Sequence, residues 1–282
     1  MRTAISSLSL LEPRSLGEAL RMLRDDESLV PLAGCTDLYV SLNFGTLPAR
    51  RFLDLSRLAD LRGIAPRGRC LSIGAMTTFA RIRKSALVRA RLPMLAAAAG
   101  QIGAAQVQNR ATIGGNIANG SPAGDSLPVL AVAEASIVLR SVGGERRVPF
   151  TSFFTGYRQT VRRPDELVAA VEIPPVAGAQ WFRKVGTRAA QAISKVVMAA
   201  VRGPRVRVAF GSVAPTVVRV PNTEELLSSG GSLADAQHML AAELMPIDDL
   251  RSTAAYRSRV AANLLAAFWN ETSPTADARG DG

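Results

Sequence analysis

Cysteine, histidine, lysine and aromatic residues are all scarce in this chain, and each scarcity closes a class of function. Cys35 and Cys70 are its two cysteines among 282 residues. They are too few for a disulfide framework, and an iron–sulfur cluster needs about four thiolates, so any such centre must sit on a partner. His238 is the sole histidine. With no cysteine near it, it has no obvious co-ligand for a metal and reads as a surface residue of a helix. Aromatics make up 5% of the chain, which leaves few platforms for stacking nucleic-acid bases. Lysine occurs at Lys84, Lys184 and Lys195, so arginine supplies all but three of the 34 basic residues behind the net charge of +11. The arginines are scattered, with short pairs such as Arg50-Arg51, Arg146-Arg147 and Arg162-Arg163. That pattern suits interface anchors better than a stripe that tracks phosphates, and it argues against nucleic acid. Long apolar runs are missing too: the richest, Leu92 to Ala99, is interrupted by Gly100-Gln101, so no membrane insertion is expected. Met1 to Ser7 lacks a sustained apolar region and a small-residue cleavage site, and a soluble cytoplasmic protein is the expectation.

What is present is a chain that is 48% hydrophobic, enough for a sizeable core and one to three domains. Ser15 with Glu18 three residues on reads as a helix start, and Leu16, Ala19, Leu20 and Leu23 form one apolar face. Strands are expected at Leu29 to Ala33, at Phe52 onward, and at Cys70 to Ile73, with a helix-like segment from Asp37 to Asn43. Thr77-Thr-Phe-Ala reads as a further helix start, and Pro93 to Ile102 as an apolar helix ending near Gly103. Ala135 to Arg140 and Arg146 to Pro149 read as a hairpin, and Glu166 to Ile173 as another strand. Pro174-Pro-Val-Ala-Gly marks a domain boundary. Beyond it, strands are expected at Gln180 to Val185 and Val206 to Val213, and helices at Ser232 to Leu244 and Ser252 to Phe268. The polar tail 273–282 is expected to be disordered.

Two polar, glycine-containing stretches point towards a ligand. Ala111-Thr-Ile-Gly-Gly-Asn-Ile-Ala-Asn-Gly-Ser-Pro-Ala-Gly-Asp125 reads as a loop crowded with small residues that runs into an apolar segment. Gly114, Gly115, Gly120 and Gly124 let backbone N–H groups approach a ligand. Thr112, Asn116, Asn119, Ser121 and Asp125 add hydroxyl, amide and carboxylate groups. On composition alone an ordinary surface loop is the stronger reading. The same chemistry recurs upstream, where the apolar run Pro31-Leu32-Ala33 leads into Gly34, Cys35, Thr36, Asp37 and Leu38. The chain has neither a Walker pattern nor a strand–G-x-G-x-x-G–helix unit, so the pair suggests a phosphate cradle of another type.

Both stretches resemble the FAD-binding loops of the flavoprotein subunit of molybdenum hydroxylases, the xanthine dehydrogenase and carbon monoxide dehydrogenase family. Phe153-Phe-Thr-Gly-Tyr-Arg-Gln-Thr160, Pro164-Asp-Glu-Leu-Val168 and Val171-Glu-Ile-Pro174 resemble the end of that family's FAD domain. Phe182-Arg-Lys-Val-Gly-Thr-Arg188, Val208 to Pro215, and Pro246 to Arg251 with Tyr256-Arg257 resemble its C-terminal domain. The ordered matches run from Leu8 to Phe268, and their order and spacing carry the resemblance. It implies an α+β protein with a PCMH-type FAD-binding fold of two α+β subdomains, 1–60 and 61–175. A C-terminal domain, 176–272, with a small antiparallel sheet and helices follows. The segment between Met198 and Arg205 is shorter than the family's, which puts one hairpin of that sheet in question.

The resemblance also implies roles. Ala33, Gly34, Cys35, Thr36 and Asp37 on one side, and Thr112, Gly114 and Gly115 on the other, would bracket the pyrophosphate of a non-covalent FAD. Pro31, Leu32, Leu38 and Ala111 flank them, with Gly124 further along. Asn116, Asn119 and Asp125 would take ribityl or adenosine hydroxyls, and Val168 and Lys184 match positions near the flavin edge. Ile102 matches an apolar residue over the ring, though a plain helix core residue is as good a reading. Lys184 could steady negative charge on a reduced flavin, or be a solvated strand lysine. Cys35 departs from the family's usual Ala-Gly-Gly-Thr-Asp-Leu. Its Cβ leads one to expect a backbone that avoids positive φ, and a small buried thiol without a redox role. The complex implied has a molybdopterin-binding large subunit and a small [2Fe–2S] subunit, arranged as a dimer of heterotrimers, with electrons leaving FAD for NAD+ or another acceptor. The alternative is a stand-alone FAD-dependent oxidoreductase of the same fold. A non-enzymatic basic protein with structural glycine loops is a third reading, which the order of the motifs disfavours.

Overall fold

The computed structural model describes residues 8–273; the tail expected to be disordered lies outside the described residues except for Ser273. The chain opens with β1 (Ser9–Leu11), α1 (Leu16–Asp25), β2 (Val30–Leu32), α2 (Leu38–Phe44) and β3 (Arg51–Asp54). β3 lies between β1 and β2 and runs parallel to both. α1 begins where the sequence predicts. The Ser15 hydroxyl oxygen accepts from the Glu18 amide at 3.2 Å while the Glu18 carboxylate accepts from the Arg14 amide at 2.6 Å, a reciprocal cap. Its apolar face, Leu16, Ala19, Leu20 and Leu23, is buried, whereas α2 buries no residue.

The middle of the chain runs through β4 (Ile64–Arg67), β5 (Cys70–Gly74), α3 (Phe79–Lys84), α4 (Ala86–Arg91) and α5 (Pro93–Gln101). It continues with α6 (Ala105–Arg110), α7 (Ile113–Asn119), α8 (Leu127–Val132), β6 (Ser136–Ser141) and β7 (Gly144–Pro149). After them come β8 (Phe154–Gly156), β9 (Gln159–Thr160) and β10 (Leu167–Ile173). An antiparallel sheet of order β4-β5-β10-β6-β7 is covered on both faces. Val138, Leu167 and Ala169 join the core under α1, while Ile137, Leu139, Val168, Val171 and Ile173 join the core under the helices. Residues next to each other along a strand thus point to opposite layers. β4 escaped the sequence reading because it is an edge strand with three exposed residues and a proline.

The glycine-rich stretch is not all loop. Residues Ile113–Asn119 form helix α7, capped by the Thr112 hydroxyl, which accepts from the Gly115 amide at 3.1 Å, and ended by Gly120 at φ 59°. The expected loop is confined to 120–126.

The C-terminal part holds β11 (Ala179–Val185), β12 (Val196–Arg202), β13 (Arg207–Gly211) and β14 (Val218–Arg219), then α9 (Pro221–Ser228), α10 (Leu233–Glu243) and α11 (Ala254–Glu271). The four strands form one antiparallel sheet in chain order. The β12–β13 hairpin that the short 198–205 segment put in question is present, paired from Val197↔Gly211 to Val201↔Arg207. Val196, Met198 and Ala200 face the core of the C-terminal helices, and Ala199 and Val201 face the central core. A strand covered on both faces carries no apolar–polar alternation, so the sequence reading left β12 unassigned. No helix among the described residues is long and apolar enough to cross a membrane.

One buried ion pair tests this arrangement. Glu166, 4% exposed at its side chain, accepts from Arg146 Nε at 2.6 Å and from the Arg163 amide at 2.8 Å. The Arg146 hydrogen bond above all holds its carboxyl below the usual glutamate range. A carboxylate depressed in the folded state stabilises above its unfolded value, and that contribution is lost as pH falls through the folded value. Glu166→Gln is therefore expected to lower stability by about 1–3 kcal/mol at neutral pH. In urea denaturation, its gap from the wild type should close as pH drops below the ordinary carboxylate range.

Candidate functional site

Residues 33–37 leave the end of β2 and turn into α2. Cys35 sits at φ 64°, in the left-handed region, contrary to the expectation that its Cβ would keep the backbone out of it. Such a conformation costs a non-glycine residue about 1–2 kcal/mol. The thiol donates to the Ala33 carbonyl at 3.5 Å and burial pushes its pKa up, which suits an inert thiol. The amides of Gly34, Cys35, Thr36 and Asp37 donate to no backbone acceptor among the described residues. Consecutive free N–H groups around a left-handed residue make a concavity that attracts an anion.

The second stretch lies against the first. A Cβ at Gly34 would stand 2.0 Å from the Arg110 carbonyl oxygen, so glycine is needed there because two backbones touch. Gly114 likewise packs on Ala75 (2.5 Å to its Cβ) and Gly124 on Leu127 (2.8 Å). At these three positions the chain's own packing already requires glycine. Gly115 faces the first loop, where its Cβ would lie 3.7 Å from that of Ala33. Ala111 precedes the helix cap, and its carbonyl accepts from the Phe79 amide at 3.1 Å.

Arg158 joins the two stretches and was missed by the sequence reading. Its guanidinium donates to Asn119 Oδ1 at 2.7 Å and to Asp37 Oδ2 at 3.3 Å. It does so from a left-handed backbone, φ 54°, which nothing in Thr155-Gly-Tyr-Arg158 announces. Asn116 accepts from the Ser126 hydroxyl at 2.7 Å, leaving its NH2 group as the free end.

A second cluster gathers where α5, the 120–126 loop and β11 meet. Lys184 Nζ donates to Asp125 Oδ2 at 2.6 Å and to the Gln101 carbonyl at 3.0 Å. Both side chains of the pair are only 7% exposed, so Lys184 is not the solvated strand lysine that one reading allowed. Burial pushes the Asp125 carboxyl up to about 6, against the opposing pull of Lys184. Its Oδ1 is buried without a hydrogen-bond partner. Ile102 caps α5 directly after Gln101 and is half-buried against the central core. Val168 is packed into that core on β10, Pro31 and Leu32 lie in β2, and Leu38 opens α2. His238 is exposed on α10, as expected. Two open cavities, of about 310 and 260 Å³, are lined by other residues and touch neither cluster.

Comparison with known proteins places this geometry. The family of the FAD binding domain in molybdopterin dehydrogenase matches residues 6–176, and that of the CO dehydrogenase flavoprotein C-terminal domain matches residues 181–272. The chain therefore belongs to the FAD-binding medium subunits of the molybdenum hydroxylases, oxidoreductase complexes of the carbon monoxide dehydrogenase and xanthine dehydrogenase type. It is 34% identical over 268 residues to the carbon monoxide dehydrogenase medium chain of Hydrogenophaga pseudoflava, covering 90% of this chain and 92% of that one. It is 34% identical over 222 residues to the xanthine dehydrogenase FAD-binding subunit of Escherichia coli O157:H7, covering 75% of this chain and 76% of that one. A solved structure of the Hydrogenophaga pseudoflava carbon monoxide dehydrogenase lacking the Mo-pyranopterin moiety of its molybdenum cofactor aligns with a TM-score of 0.90 at 30% identity. That alignment covers 96% of this chain and 98% of the other.

The residues present suit FAD. Undonated amides at 34–37 match a diphosphate, and the unpartnered Oδ1 of Asp125 is an acceptor awaiting a donor. Two substitutions probe the cradle without ligand. Gly34→Ala, whose Cβ overlaps a carbonyl, is expected to cost about 1–3 kcal/mol. Cys35→Gly, which relieves a left-handed side chain but adds chain entropy, is expected to raise stability by up to about 1 kcal/mol. Urea midpoints of the two variants should move in opposite directions.

Proposed function

We propose that this chain holds FAD non-covalently, receives electrons from [2Fe–2S] clusters on a small partner subunit, and passes them to NAD+ or another acceptor. A molybdopterin-binding large subunit would supply those electrons, in a cytoplasmic dimer of heterotrimers. The observation that carries the reading is the run of free amides at 34–37 held against Thr112–Gly115 by the Gly34–Arg110 backbone contact. When bound, FAD supplies the exchange between two-electron and one-electron chemistry.

The chain's own residues bind and orient. Gly34, Cys35, Thr36 and Asp37 offer amides to the pyrophosphate, with Thr112, Gly114 and Gly115 opposite, and no lysine is needed to neutralise it. Asn116, Asn119 and Arg158 stand where ribityl or adenosine hydroxyls would be met. Ile102 would cover one face of the ring, and Lys184 with Asp125 would present a buried charge pair to the flavin. A histidyl link has no candidate in either stretch, since the sole histidine lies on α10. The division into 1–60, 61–175 and 176–272 belongs to the same reading, supported by one main sheet in each part.

Purification of the chain with whatever subunits accompany it, followed by acid release of cofactor, tests the proposal. FAD at about one per chain, together with a molybdenum-containing and an iron–sulfur partner, is the expected result. Bound FAD on a chain that never associates with other subunits would favour the stand-alone oxidoreductase. A well-folded, colourless protein that refuses added FAD would overturn both. Arg158→Ala is expected to weaken FAD binding by about tenfold, the loss of one charge-assisted contact, as read by fluorescence titration.

A further inference from the structure

One face of the protein is basic with no carboxylates to answer it. Between Asp60 and Asp125 the chain carries nine arginines and lysines and no aspartate or glutamate. Six of the nine, Arg81, Arg83, Lys84, Arg89, Arg91 and Arg110, lie on α3, α4 and α6, and all six are exposed. The three helices pack together through α3 and α5. Arginines elsewhere, such as Arg146 and Arg219, meet carboxylates. Among the described residues none of these six does, and Arg83 donates instead to the neutral side chain of Gln108 at 3.2 Å. Their charge therefore stands uncompensated on one group of neighbouring helices.

That face adjoins the proposed flavin site. The Arg83 side chain lies against Gly100 near the end of α5, where an added Cβ would stand 3.7 Å from its Cδ. Gln108, the partner of Arg83, donates in turn to the Gly100 carbonyl at 3.0 Å. The next carbonyl along, that of Gln101, accepts from Lys184, and Ile102 follows it. At the other end of the face, the Arg110 carbonyl is the group that leaves Gly34 no room for a side chain. The basic helices thus run directly into both stretches proposed for the cofactor.

What the face lacks narrows the partner. Large apolar side chains are exposed elsewhere, as at Phe44 and Leu250, but at no position from 62 to 110. Permanent subunit interfaces are built round an apolar core, and a helix that lies in a lipid surface buries an apolar side. Charge without apolar anchors suits a brief encounter steered by electrostatics. Resting on the reading that this chain passes on electrons from FAD, we propose that the face docks the acceptor, a small acidic one-electron carrier protein. Two carrier molecules each accept one electron, and the FADH2 that supplies them returns to FAD with release of two protons to water.

The test mixes the chemically reduced, FAD-loaded complex with oxidised rubredoxin, a small acidic carrier, and with cytochrome c, a basic one. Binding is read by surface plasmon resonance and electron transfer by stopped-flow absorbance. Rubredoxin is expected to bind and to be reduced. Both should weaken as salt rises from about 0.1 M to about 1 M, where the screening length falls from about 10 Å to about 3 Å. Cytochrome c should show no such salt-sensitive binding. The triple variant Arg81→Glu, Lys84→Glu, Arg89→Glu should slow rubredoxin association by about tenfold or more, with FAD content and subunit composition unchanged. If that variant does not fold, glutamine at the same three positions should give a smaller loss in the same direction. Rubredoxin binding indifferent to salt and to these variants would overturn the inference. Loss of the other subunits from the triple variant would also overturn it, by making the face a subunit interface. So would sedimentation with phosphatidylglycerol vesicles that the triple variant abolishes while rubredoxin does not bind, which would make it a membrane-facing surface. A wild-type complex without FAD would instead overturn the proposed function, and this inference with it.

Discussion

All six residues of α8 are buried, and they are buried against separate layers of the protein. One side belongs to the helical core above the β4-β5-β10-β6-β7 sheet, and another meets β12 and β13 of the C-terminal sheet. Fully burying a leucine or valine stabilises by about 1.5–3 kcal/mol, so this short helix ties the two halves of the chain together. The approach is close enough that Gly211 on β13 has no room for a side chain. A Cβ there would stand 2.8 Å from the Pro122 carbonyl oxygen and 3.4 Å from the Pro128 ring. Asp125 lies two residues before α8, and Lys184 lies on the sheet packed against it. Their 2.6 Å contact is therefore set by how two sheets pack on one helix rather than by the local sequence of either residue.

The charge of the chain makes sense in the same terms. Arginine is used as structural fastening: Arg147 on Glu172, Arg207 on Glu134 and Arg219 on Glu224 each close a contact between separate segments or at a strand end. Planar guanidinium groups suit paired contacts of this kind better than lysine does. The proposed anion site, by contrast, is built of backbone amides, and the buried cation near the proposed ring is one of the three lysines. Pairing of this kind leaves the net charge of +11 in place, carried by arginines spread along the chain.

Much of this was legible in the sequence, for reasons that can be traced. α1 was readable because Ser15, Glu18 and a 3–4-spaced apolar face all agree, and β6–β7 because a turn separates two short runs. The order of the motifs, the two glycine-containing stretches among them, carried the family. Three kinds of feature were not legible. β12 has no alternation because both its faces are covered, and β4 has too few buried residues to signal a strand. The left-handed states of Cys35, Arg158 and Ser212 are imposed by tertiary contacts, so residue type predicts the wrong conformation. The packing demands on Gly34, Gly114 and Gly124 were not legible because a missing side chain looks the same in sequence whatever fills the space beside it.

Asp37 stands at the start of α2 yet makes no capping bond to it; its carboxylate is turned to Arg158 instead. The helix that follows buries no residue and is capped only at its C-terminal end, by Gly45, so neither an N-terminal side chain nor the core holds its start. Segments of this kind open locally without global unfolding, and their amide protons exchange first. The free amides at 34–37 adjoin this helix and must share its fluctuations. An anion seated on them would meet the positive end of the α2 dipole and restrict the same backbone. On the proposed function, occupancy of the cradle would then be coupled to the ordering of α2, and part of the intrinsic affinity would go into steadying its seven residues.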